Sequence, residues 1–422
     1  MSVKGLLKGM KDVKRVDELV SPDLQLTRTL VENQKVPVLF NNVNGGRVVG
    51  NLWSDRSRIA SALGITKEEL LPKMIESISH PVKPDVVEDP AFRQVELDNF
   101  DLRKLPIPKF YPKDGGRYIT AGVAVSEFEG KKNVSFHRLL LLDDHRFGIR
   151  LVPRHLYTMH KLSLEKGKDL PVAFCVGVCP SVLLAAATSA DYSLDEMEIA
   201  ASLRKTCMGE PVDVAPTDNG LMVPAYAEYV FEGRLTADKV DEGPFVDITG
   251  TYDDVRKQPV FVVDKIYHQK DPVLHVVLPG GLEHFMLMGL PREPVMFKTI
   301  RQVVPKVHGV RLTEGGCCWL HGVVSITKNK EGDAMNAAMA AFTGHPSMKK
   351  VTIVDKDVDI FNDQDVEWAE ATRFQASRGL MVVNNAAGSS LDPSADGTTS
   401  KIAIDATKPM GVTKGFEKAQ LP

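Results

Sequence analysis

Four polar residue types gather in one short region: an amide, a hydroxyl, a guanidinium and, one apolar run later, an imidazole. They are Asn133, Ser135 and Arg138 in NVSFHR, then His155 in VPRHLYTMH. Asn offers a neutral oxygen to a hard cation, and Arg a permanent planar cation for a carboxylate. Two acidic residues lie in later segments able to return to them. Glu228 stands in VPAYAEYVFEG, where alternation puts Glu228, Val230 and Glu232 on one strand face. Glu283 follows LPGG, where the chain turns into a helical pattern. Amide, imidazole and carboxylate together suit a Mn²⁺- or Mg²⁺-like ion with phosphate oxygens completing the shell. An arginine beside an acid suits holding a carboxylate and delivering a proton. Each residue also has a plain structural reading: turn residue, helix start, polar strand face, helix N-terminus. Asn133 and Arg138 are an odd number apart, so a regular strand sends them to opposite faces. They meet only across a bulge or a strand end.

The elements that must position these residues follow from the pattern. In 1–80 an Asn-Gly hairpin signal, VNGG at 43–46, joins VPVLFNN to GRVVGNLW, and KEELLPKMIESI carries helical spacing. Residues 81–116 are Pro-rich and read as a connector, so an N-terminal α/β region with connector spans 1–98. From 117 the pattern is β: YITAGVAVSEFE and NVSFHRLLLLDD form a hairpin, and FGIRLVP, PVAFCVGV, LMVPAYAEYVFEG, PFVDITGTYDD and PVFVVDKIYHQ add strands. HLYTMHKLSLEKGKD, PSVLLAAATS and SLDEMEIAASLR are helical within that run. This predicts a mostly antiparallel split β-barrel with a helical insertion over 99–283, compatible with flavin binding. A linker helix kinked near Pro291 follows over 284–305. Strand and helix patterns then alternate as βαβαβ in an α/β domain over 306–422.

Composition bounds the function classes. The 422 residues suffice for two or three domains, and 43% hydrophobic with 25% charged residues is ordinary for a globular chain. A net charge of −3 gives no field favouring nucleic acid. No apolar run is long enough to span a bilayer. Five cysteines without framework spacing point to reduced thiols and a cytoplasmic protein. The sequence lacks GxGxxG after a strand, GxxxxGK[ST], HExxH and GxSxG, which removes support from dehydrogenases, P-loop NTPases, zincins and α/β-hydrolases.

Six segments in order resemble the UbiD-type decarboxylases: NVSFHR, VPRHLYTMHKLSLEKGKDLPVAFCVGVCP, VPAYAEYVFEG with EGPFVDITGTY, PGGLEHFMLMG, VDKDVDIFNDQDVEWAEATRF and SKIAIDAT. The resemblance implies a prenylated-FMN cofactor, a divalent ion, typically Mn²⁺, with K⁺ often nearby, and reversible decarboxylation of unsaturated or aromatic acids. It implies Asn133, His155 and Glu228 as metal ligands; Asn133, Ser135, Arg154, His155 and Lys401 around the cofactor; and Arg138 with Glu283 as carboxylate seat and acid. The family's arginine works with two carboxylates, and only Glu283 is placed by motif, with Glu232 a second candidate. Arg154 stands where better-known members often carry Gln. The resemblance also implies a flavin prenyltransferase as cofactor supplier, homo-oligomers through the C-terminal domain, and a tail that returns to the cofactor site. It is strongest toward the archaeal branch, which implies trans-anhydromevalonate 5-phosphate as substrate, with Arg154, Arg292, Lys298 and Arg301 as candidate phosphate cations. The alternatives are a hydroxybenzoate-like aromatic acid or, in another class, an FMN oxidoreductase or a non-catalytic flavin carrier.

Overall fold

The computed structural model describes residues 2–412, 415–416 and 418–419. It divides into two compact units, 1–287 and 288–422.

The first unit begins with the expected hairpin. Strands Val38–Val43 and Gly46–Gly50 pair around Asn44 and Gly45, whose φ values of 49° and 80° are the left-handed pair a tight hairpin turn requires. Strands Lys14–Val16 and Val273–His275 flank them in parallel. The second of these comes from the far end of the unit and sews the N-terminal region to the barrel's exit.

The barrel is a closed ring of six strands. Tyr229–Glu242, Leu170–Val176, Tyr118–Phe128, Lys131–Leu141, Arg146–Ile149 and Arg256–His268 are neighbours in that order, and the first also pairs with the last. Phe147, Phe174, Phe231 and Phe261 fill it, with the Phe174 and Phe261 rings edge-to-face at 4.7 Å. At one place the ladder slips: Ile119 opposes Leu139 and Gly122 opposes His137, so Thr120 and Ala121 both face Arg138. That bulge sits at the chemically loaded end of the strand Lys131–Leu141.

The helical insertion packs on this hairpin. His155–Glu165 follows the barrel strand Arg146–Ile149, and Glu196–Met208 opens with Asp195 accepting the Met197 N–H and closes at Gly209 (φ 88°). Ile199, Ala200 and Leu203 are buried along its inner face, and Glu196 is buried with them.

After the barrel, helix Leu282–Gly289, a turn at Leu290–Arg292 and helix Glu293–Arg301 replace a single linker helix, the break falling at Pro291. The second unit is a five-stranded sheet in the order Val307–Leu312, His321–Ile326, Lys350–Asp355, Thr399–Ala406, Leu380–Ala386. It departs from simple βαβαβ. The tail strand Thr399–Ala406 takes the inner parallel place, and Leu380–Ala386 is pushed to the edge, antiparallel.

Candidate active site

The strand Lys131–Leu141 carries two clusters, one on each face. Asn133, Ser135 and His137 share a face by alternation. They are chained by hydrogen bonds: Ser135 Oγ lies 2.8 Å from Asn133 Oδ1 and 2.9 Å from His137 Nε2, and His137 Nδ1 lies 3.0 Å from the Arg150 carbonyl. The carboxylate that meets Asn133 is Glu196. Its Oε1 is 3.3 Å from the Asn133 amide and 3.5 Å from His155 Nδ1, and its Oε2 accepts the Val134 N–H at 2.8 Å. Burial pushes the Glu196 carboxyl up to about 7 against the pull of that N–H. Burial and the neighbouring Arg154 charge hold His155 below the usual imidazole range, so it is neutral at pH 7 and able to ligate. An amide oxygen, a carboxylate and a neutral imidazole are the donor set a Mn²⁺ or Mg²⁺ ion accepts.

On the other face Arg138 is held by a fork. Its Nε and Nη2 donate to Glu242 Oε1 and Oε2 at 2.8 and 2.9 Å, its Nη1 to Asp247 at 3.2 Å and its Nη2 to Asp253 at 3.4 Å. The guanidinium lies 4.5 Å above the centre of the Phe245 ring. Arg138 is 10% exposed and Glu242 is not exposed at all, so each charge depends on the other. The loop that delivers Glu242 approaches Gly115 so closely that a Cβ there would stand 2.4 Å from the Gly243 carbonyl oxygen.

His284, absent from the sequence reading, belongs to this second cluster. Its Nδ1 accepts the Gly280 N–H at 3.1 Å, which leaves the proton on Nε2. Loss of solvent lowers its affinity for a second proton, Asp247 and Glu283 oppose that shift, and Arg138 adds to it.

Three expected placements, those of Glu228, Glu283 and Glu232, are corrected. Glu228 is not brought to Asn133 and His155. Its two oxygens accept the backbone N–H groups of Lys4 (2.9 Å) and Val273 (3.3 Å), fastening the N-terminal helix Val3–Gly9 and the strand Val273–His275. The register gives the reason. Asn133 pairs with Ser126, Ser126 with Val172 and Val172 with Gly233, five residues past Glu228 or about 17 Å along a strand. Gly177 (φ 73°) is shaped to this role, since a Cβ there would stand 2.5 Å from the Glu228 side chain.

Glu283 is not an ion partner of Arg138 either. Buried with His275, its Oε1 meets His275 Nε2 at 2.9 Å and the Trp53 N–H at 3.2 Å. Glu232, the second candidate, accepts the Asn219 N–H at 3.0 Å. Lys401 lies in the second unit, where its ammonium donates to the carbonyls of Pro346 and Met348, the latter at 2.8 Å. Arg154 donates to Ser189 Oγ at 3.0 Å. Arg292, Lys298 and Arg301 also lie in the second unit, Arg292 over the Trp319 ring.

A closed barrel with a helical insertion, an α/β unit after it in the chain, and a buried Arg–carboxylate fork suit an enzyme that handles a carboxylic acid. The chain belongs to the UbiD family. Residues 5–78, 85–282 and 285–406 match the N-terminal, Rift-related and C-terminal domains of 3-octaprenyl-4-hydroxybenzoate carboxy-lyase. It is 45% identical to the anhydromevalonate phosphate decarboxylase of Methanosarcina mazei, covering 99% of this chain and 98% of that protein. It is 43% identical to the enzyme of the same name from Methanocaldococcus jannaschii, covering 94% of each. Among solved structures, the UbiD-class enzyme HmfF from Pelotomaculum thermopropionicum in complex with FMN superposes with a TM-score of 0.95 at 36% identity, covering 100% of this chain and 98% of that one. An evolved dimeric form of HmfF in complex with prFMN gives 0.91 at 33%, covering 100% and 97%.

Proposed function

We propose that the chain is a prenylated-FMN-dependent carboxy-lyase whose substrate is an α,β-unsaturated acid bearing a phosphate, of the anhydromevalonate 5-phosphate kind. The names of its archaeal relatives and the flavin carried by the HmfF structures support this reading. The observation that carries it is the Arg138 fork. A flavin carrier has no use for a buried guanidinium locked by a buried carboxylate.

When bound, the prenylated flavin supplies the electron sink for the pair released as CO₂ departs. Asn133, Glu196 and His155 would hold a divalent ion, Mn²⁺ or Mg²⁺, and Ser135 and Arg154 would serve the flavin. Arg138 seats the substrate carboxylate. Glu242 takes two of its five N–H groups, Asp247 and Asp253 take two more through longer contacts, and one Nη1 proton remains. A carboxylate entering there meets that proton and displaces the weaker contacts, while Glu242 keeps the guanidinium plane fixed. The proton that carbon needs comes from solvent: Asp247 takes it up, and His284, with its Nε2 proton, passes one on to carbon and ends neutral. Arg150, 3.7 Å from the Asp253 oxygen that Arg138 also contacts, is the cation placed for a second anionic group on the same substrate. The chain works in the cytoplasm as a homo-oligomer and receives its flavin from a prenyltransferase; its five cysteines are all free thiols.

Co-expression with a flavin prenyltransferase followed by a CO₂-release assay tests this. Turnover of the phosphorylated unsaturated acid is expected, with far less from its dephosphorylated form and from hydroxybenzoates. Turnover of the hydroxybenzoates alone overturns the substrate class, and no CO₂ from any acid by flavin-loaded protein overturns the activity.

A further inference from the structure

The hydrogen-bond chain behind Asn133 contains one proton too few for the arrangement as drawn. The Arg150 carbonyl can only accept, so His137 carries its proton on Nδ1. His137 is buried, which lowers it to about 4, so the ring is neutral and Nε2 is a bare acceptor. Ser135 Oγ, 2.9 Å away, has a single proton, and Nε2 takes it. Ser135 then meets Asn133 only as an acceptor. The amide group 2.8 Å away must therefore present its NH₂ end, reached by a half-turn that exchanges nitrogen and oxygen in nearly the same positions.

That half-turn aims the Asn133 oxygen at Glu196 Oε1, across the 3.3 Å gap. Two acceptors face one another with the His155 nitrogen 3.5 Å from the same carboxylate oxygen. Such a pairing is unfavourable empty and is satisfied by a cation.

We propose that His137 is the positioning residue for the metal: acting through Ser135, it turns the Asn133 amide oxygen toward Glu196 and so makes Asn133 a ligand. The inference rests on the metal reading above. His137 touches neither the ion nor the flavin. Its effect is exerted through the direction of one serine proton. Without the His137 acceptor, Ser135 donates to the Asn133 oxygen, the amide turns its NH₂ to Glu196, and the site neutralises itself with an internal hydrogen bond instead of a cation.

The test is Mn²⁺ binding to the full chain loaded with FMN, by isothermal titration and by the loss of the free-Mn²⁺ paramagnetic resonance signal. His137→Phe is expected to weaken Mn²⁺ binding by about tenfold or more, the usual scale for a group that orients a ligand. Ser135→Ala is expected to weaken it by less, because the amide is then unbiased. His137→Gln, which keeps one donor and one acceptor at similar separation, restores most of the affinity. A merely structural His137 would lower the unfolding temperature of the metal-free protein without this ordering. Equal Mn²⁺ affinity in wild type and in folded His137→Phe overturns the proposal. Should that variant not fold, Ser135→Ala at a half-exposed position decides it in the same way. If the wild type itself binds no Mn²⁺, the metal reading fails, a different result from equal binding in wild type and variant.

Discussion

The two faces of the strand Lys131–Leu141 make opposite bargains with their charges. On one, Arg138 and Glu242 satisfy each other through two short parallel bonds with water excluded, and Asp247 and Asp253 finish the cluster. On the other, Glu196 is buried without a cationic side chain among its hydrogen-bond donors and is pushed up to about 7. The first cluster is charge-paired, with one Arg138 N–H left over, and each charge depends on the other. The second is incomplete and pays for its readiness to bind. Arg138, proposed to hold one geometry through turnover, is locked by carboxylates, and Glu196, proposed to take a cation, has none among its hydrogen-bond donors.

Stability separates them first. Arg138→Ala strands Glu242 as an unpaired buried charge and should cost about 3–5 kcal/mol in denaturant unfolding. Glu196→Gln removes a charge the fold holds at a cost, so the metal-free protein should change by less than about 1 kcal/mol. Equal losses would erase the distinction.

The pH dependence sharpens the metal face. His137 titrates at about 4 in the folded protein against 6.5 ordinarily, so between those values the unfolded chain binds more protons. Stability contributed by the neutral ring is therefore complete above pH 6.5 and falls as pH drops toward 4, by about 3 kcal/mol in all. Comparing unfolding free energies at pH 7 and pH 4.5 in wild type and His137→Phe isolates it, because the variant lacks this component of the slope.

Chemistry comes next. His284→Gln should lower kcat by about a hundredfold or more while leaving Mn²⁺ affinity unchanged, as expected for a proton donor on the Arg138 side. A loss of metal instead would move His284 to the other face. Glu228→Ala should cost about 1–3 kcal/mol by freeing two buried N–H groups and leave Mn²⁺ binding untouched.

The sequence made legible what is local and left hidden what folding assembles. Asn133, Ser135 and Arg138 lie within six residues, and strand alternation already divided them between two faces. The N-terminal hairpin and the first barrel hairpin were equally readable, because Asn44-Gly45 and Gly130 punctuate apolar runs. The carboxylate partners were not, since Glu196, Glu242 and Asp247 arrive from 63, 104 and 109 residues away. Alternation in AEYVFEG favoured Glu228, yet that residue precedes its strand, Tyr229–Glu242, and turns to the N-terminal helix. A signal for Glu196 was present. It sits at i to Ile199, Ala200 and Leu203 at i+3, i+4 and i+7, an acid on the apolar face of a helix, and such a residue needs a partner. His284 gave no comparable signal, because its role depends on Arg138 and Asp247, which only the fold brings near.

The most direct measurement is anomalous scattering from crystals of the flavin-loaded protein grown with Mn²⁺. A single manganese peak bounded by Asn133, His155 and Glu196, with Glu228 still bonded to the Lys4 N–H, is the expected result. A peak at Glu228, or none near Glu196, would contradict the division of the strand into a metal-binding face and a charge-paired one.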